Sequence, residues 1–284
     1  MSDLVFSPSL AAQLPRQATA SARQLADEGR ALTREDAERL ENELKSSPDD
    51  PATRTRLLGY YFARSLRLSG PAVTLGARRR HILWLIQNRP DAEIGQWSEA
   101  TIDPSGHSLA DKEGYEQAKA LWRKQIDAHR SDTAVLRNAV KFFTLPDKEL
   151  AEDALTRAQA ADPTNRSWTV ELGYLYALGV MGINGLNQNG FPTSVSPSEV
   201  TGGFAKKARS VLEASNDAAQ LATAGRFLSQ YGVMIRGMGM TREDHTVLAE
   251  ALLKKAQALA PHPQLDEDLK QLYEFRRLLQ GKAS

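Results

Sequence analysis

Cysteine is missing from all 284 residues, which excludes disulfides, thiolate catalysis and cysteine-based zinc sites. An excess of charge of one sign is missing too. Lys and Arg total 36 against 35 Asp and Glu, so no global basic field draws the chain to nucleic acid or to an anionic membrane. No stretch approaches the roughly 18 apolar residues that cross a bilayer. The opening MSDLVFSPSLAAQLPRQ also lacks the basic start and long apolar core of a signal peptide, so the expectation is a soluble, cytoplasmic chain. Histidines are scarce and scattered: His81, His107, His129, His245 and His262 never fall at the i,i+4 spacing that sets two imidazoles on one helix face around zinc. Asp103-Pro104-Ser105-Gly106-His107 holds a Ser and a His together but reads as a turn, and no Gly-x-Ser-x-Gly elbow exists. Gly179, Gly182, Gly185 and Gly190 neither follow a strand and open a helix nor end in Gly-Lys-Ser/Thr, so they are no phosphate cradle. Catalytic residues, cofactor and metal are therefore all assigned as none.

What the chain does have is helix periodicity and 41% hydrophobic residues, ample for a core. The clearest stretch is Asp147 to Gly179. Leu150, Ala151, Ala154, Leu155 and Ala158 recur at three-to-four-residue spacing before the Asp162-Pro163-Thr164-Asn165 turn; Trp168, Leu172, Leu175 and Tyr176 do so after it. Leu58-Gly59 with Phe62 repeats the Leu-Gly-x-x-aromatic spacing of 172–176. At these residues the chain resembles the tetratricopeptide repeat, a helix-turn-helix unit of about 34 residues. The resemblance implies an all-α, right-handed α-solenoid of such hairpins, acting as a protein- or peptide-binding scaffold with no catalytic residues of its own.

Turn markers near 50, 90, 131, 163, 216 and 262 divide the chain into about five hairpins plus end helices. The expected organisation is an arm over 1–15 and a single solenoid over 16–284, interrupted by insertions at 180–203 and 233–241. No strand-like alternation survives between the helical stretches, so no sheet is expected. Arg78-Arg79-Arg80 reads as a solvated, convex cluster.

In the repeat family the first helix of each hairpin lines the concave surface, and residues four apart share a face. That alignment gathers Arg56, Tyr60 and Arg64, then Arg137, Asn138 and Lys141, then Tyr174, then Arg226. Such a groove suits an acidic peptide or a C-terminal carboxylate, because Arg grips carboxylates through two bonds and Tyr supplies rigid contact area. The partner is thus expected to be protein or peptide, with no nucleic acid and no membrane. Two other readings are a small-molecule or enzymatic α-domain whose pocket the insertions roof with Phe191, Met234, Met238 and Met240, and a self-assembling structural subunit.

Overall fold

The computed structural model describes residues 20–65, 71–104, 110–187, 191–200, 202–242 and 244–281. The expected 1–15 arm and His107 lie outside them. The described residues are overwhelmingly helical, as expected of an all-α chain, and none of their helices is long and apolar enough to cross a membrane. They divide into two compact units, one ending at Asp162 and the other starting at Pro163, where a single array was expected.

The first unit contains α1 (Ala20–Ala31), α2 (Arg34–Ser46), α3 (Pro51–Ser65), α4 (Pro71–Asn88), two 3-10 turns (Glu93–Gln96 and Ser98–Ala100), α5 (Lys112–Ala128), α6 (Thr133–Phe143) and α7 (Lys148–Ala161). Their starts are written locally. Thr33 and Asp36 form a reciprocal capping box on α2, and the Asp111, Asp132 and Asp147 carboxylates accept from the first free amides of α5, α6 and α7. α3 packs on both α1 and α4, α4 on α5, and α6 on α7. The crossing of α1 and α3 depends on two glycines: a Cβ on Gly59 would lie 2.1 Å from the Ala26 carbonyl oxygen, and one on Gly29 would lie 1.9 Å from that of Arg56. Between α4 and α5 the chain abandons the regular helix. The two turns pack against α1, α3 and α6 instead, and bury Ile94, Ala100 and Ile102 in the core.

The second unit contains α8 (Ser167–Val180), β1 (Ile183–Leu186), β2 (Pro192–Val195), α9 (Pro197–Val200), α10 (Gly203–Ala214), α11 (Ala218–Gly237), α12 (Thr246–Leu259) and α13 (Pro263–Gly281). α8 is apolar nearly all round, and from Leu172 to Val180 every residue is buried; it packs on α10 and α11. α11 packs in turn on α12, and α12 on α13. Small residues again set the approach, since a Cβ on Gly173 would stand 2.5 Å from the Gln220 carbonyl oxygen.

The structure corrects two expectations here. A sheet does exist: β1 and β2 pair antiparallel, Ile183 opposite Val195 and Leu186 opposite Pro192, with irregular register between. Gly185 and Pro192 break the apolar alternation that marks a strand, which hid both. Gly182 turns the chain out of α8 with φ +63°, a left-handed conformation that favours glycine. The insertion foreseen at 233–241 is shorter than expected, because α11 continues to Gly237 and keeps Ile235 fully buried.

Candidate ligand-binding face

Most of the cations expected to greet a ligand hold the protein itself. Arg56 Nε donates to Glu28 Oε2 at 2.9 Å, tying α3 to α1. Arg64 donates to the Leu32 carbonyl at 3.2 Å and lies over the Tyr60 ring. Tyr60 is a core residue, packed among Ala37, Leu40, Leu44 and Leu57. Asn138 is 1% exposed; its Nδ2 donates to the Pro90 and Ala92 carbonyls, both at 2.8 Å, and so pins the chain leaving α4 onto α6. Asn138→Ala leaves both carbonyls without that donor and should lower unfolding stability by about 2 kcal/mol. A shifted urea midpoint with unaltered peptide affinity is the expected result.

Lys141 differs. Its side chain is open to solvent, yet the protein around it holds the ammonium below its ordinary pKa by desolvation, with Asp103 and Glu99 opposing. Arg137, one turn back on α6, is half-buried. The carboxylate of Glu99, which acts on Lys141, is 2% exposed and pairs with Arg30 of α1.

Arg78 completes this region and was misplaced by the sequence. Rather than facing solvent, it is 3% exposed; its Nη2 donates to the Ser98 carbonyl at 2.8 Å and also to Thr101, and its Nε to Glu99 at 3.3 Å. Both Arg30 and Arg78 place their guanidinium groups over Phe62, at 5.8 and 5.5 Å. Burial pushes Arg78 down to about 10, against the pull of Asp103, Glu99 and Asp111, so it remains charged near neutrality. Its neighbours behave otherwise: Arg79 grips Asp111 through two bonds of 2.7 and 2.6 Å, and the exposed Arg80 reaches Glu41 at 3.0 Å. Periodicity contained the missing signal. Arg78 lies four and seven residues before Ile82 and Leu85, which places it on the apolar stripe of α4.

In the second unit the two expected site residues are structural. Tyr174 is buried, its phenol pushed up by desolvation, and meets Phe227 edge-on at 4.9 Å. Phe227 contacts Tyr231 at 4.5 Å, and Tyr231 meets Phe191 of the β-hairpin at 6.0 Å. Arg226 donates twice to Asp268 of α13, at 3.0 and 2.7 Å. The residues proposed to roof a pocket do not converge as a closed lining: Met238 is 63% exposed and Phe191 42%. A crevice lined by Ile82, Leu85, Ile86, Trp122 and Asn138 has a volume of about 10 Å³, room for a single water. Among the described residues no group of three or more His, Asp or Glu could hold a metal ion.

No protein-family model, no curated protein and no solved structure matches the chain.

Proposed function

We propose that the chain is a tetratricopeptide-like, right-handed α-solenoid scaffold that captures an acidic segment of a partner protein. The segment lies against Arg137 and Lys141 of α6 in the first unit. Support for the architecture comes from hairpin packing repeated along the chain, α3 on α4, α6 on α7, α8 on α10 and α11 on α12, with Gly59 and Gly173 of the Leu-Gly motif at close helix contacts. Lys141 carries the binding reading: it is exposed on α6 one helix turn from Arg137, so a carboxylate-bearing segment laid along this face could meet both cations.

Arg137→Glu combined with Lys141→Glu should weaken binding of a labelled Asp/Glu-rich peptide by at least about tenfold, or about 1.4 kcal/mol, in fluorescence anisotropy at low salt. Arg123→Glu with Lys124→Glu makes the same change in net charge from exposed positions on α5 and should leave affinity nearly unchanged. Equal losses in the two double variants would reduce the effect to net charge. Unchanged affinity in the α6 variant rejects the site.

A further inference from the structure

Only one end of the Asn138 amide is used by the chain leaving α4. Its Nδ2 donates to the Pro90 and Ala92 carbonyls, both at 2.8 Å. Turning the amide over would set its oxygen against those two carbonyls, so Oδ1 is fixed as the acceptor on the other side. That oxygen is buried and, among the described residues, has no hydrogen-bond partner. The same holds for the indole Nε1 of Trp122 on α5, a group that can only donate. A buried donor and a buried acceptor left unpaired each cost the desolvation of a polar group.

Trp122 and Asn138 line the same crevice, whose other walls include the apolar side chains of Ile82, Leu85, Ile86 and Ile94. Its volume of about 10 Å³ admits one water and nothing larger. Arg89, the charged residue of the lining, turns to Asp91 at 3.4 Å. The two orphaned atoms select the occupant by chemistry as well as size. An anion would accept from the indole but repel the amide oxygen, and a cation would serve the oxygen but face the indole hydrogen; a molecule that accepts and donates at once suits both. Gln96 Oε1, Trp97 Nε1 and Tyr115 Oη are also buried without a partner among the described residues, yet none of those three residues lines the crevice.

We propose that this crevice is a binding site for one structural water, which accepts from Trp122 Nε1 and donates to Asn138 Oδ1. The water bridges α5 to α6. Two partners stand at the lower end of the roughly two to four hydrogen bonds that hold a buried water. Through the Asn138 Nδ2 bonds the bridge continues to Pro90 and Ala92, so a single molecule joins two helices to the irregular segment between α4 and α5. It uses neither Arg137 nor Lys141, and stands whether or not their face takes an acidic segment.

Magnetisation transfer between water and the full chain tests this. The Trp122 indole N–H, assigned by its disappearance in Trp122→Phe, should give a cross-peak to water that has the sign of the diagonal in NOESY and the opposite sign in ROESY. That pattern marks a proton close to a water that stays longer than the protein takes to tumble. Proton exchange with solvent gives the sign of the diagonal in both spectra, and a water that leaves faster than tumbling reverses the NOESY sign. A crystal of the full chain should in addition show one water at about 2.7–3.2 Å from both Nε1 and Oδ1. A missing cross-peak, an exchange pattern, a reversed NOESY sign, or a crevice whose density contacts only one of the two atoms or neither would each overturn the proposal.

Discussion

Replacing Gly59 with Ala should lower the stability of the first unit by about 2–3 kcal/mol, while Gly76→Ala should raise it by up to about 1 kcal/mol. Both glycines sit inside helices, so both substitutions gain the same intrinsic helix propensity. The surroundings decide the sign. A methyl at Gly59 would meet the Ala26 carbonyl oxygen at 2.1 Å and its carbon at 2.9 Å, and these are backbone atoms of α1 that no rotamer change can move aside. A methyl at Gly76 meets nothing within 4 Å. Relief at Gly59 therefore requires α1 and α3 to separate along their crossing, which opens voids on both sides of it. Gly29→Ala strains the same crossing against the Arg56 carbonyl, so the double variant should cost less than the sum of the two singles; the first methyl already forces the separation that the second needs. Urea unfolding followed through Trp84, Trp97 and Trp122, all in this unit, reads the effect. A Gly59→Ala protein as stable as the original would mean that α1 and α3 do not cross where described.

Arg78→Ala should be costlier still, at about 3–5 kcal/mol, and Arg78→Lys should recover little of it. The guanidinium serves the carbonyls of Ser98, Glu99 and Thr101 at once and lies over Phe62. An ammonium keeps the charge but is a single point on a flexible stem, so it cannot span the same set of acceptors. Alanine removes the cation and leaves Glu99 with Arg30 as its ion-pair partner, and it takes the Arg78 donor from all three carbonyls, of which, among the described residues, Ser98 alone keeps a bond, from Thr101. Hydrogen exchange locates the damage: amides of residues 98–103 should lose protection well before those of α7. Wild-type stability in Arg78→Lys would show that charge alone, without the fork of donors, holds this region.

The elements legible in the sequence are those whose determinants are local. α7 announces itself through the spacing of Ala151, Ala154, Leu155 and Ala158, every one buried. The Leu-Gly pairs at 58–59 and 172–173 mark helix contacts that the structure then displays. What escaped is long-range. Glu99 gives no local sign that its partner is Arg30, and Asn138 looks like a groove residue until the carbonyls of Pro90 and Ala92 are seen above it. Arg56, Tyr60, Arg64, Tyr174 and Arg226 share the right helix faces, but a face can turn toward a neighbouring helix as readily as toward a ligand. Charge type reports which partner a residue could take, whereas burial decides whether the partner is already present.

The two 3-10 turns between α4 and α5 bear on how the chain can change in length. A helix can gain or shed a turn and still satisfy its own backbone, because each new carbonyl finds an amide four residues on. The stretch from Pro90 to Thr101 relies on outside donors, with Asn138 serving Pro90 and Ala92, and Arg78 serving Ser98, Glu99 and Thr101. Inserting or deleting one residue there would slide these five carbonyls past the Asn138 and Arg78 donors, so this irregular segment should resist indels that the helical rungs accept.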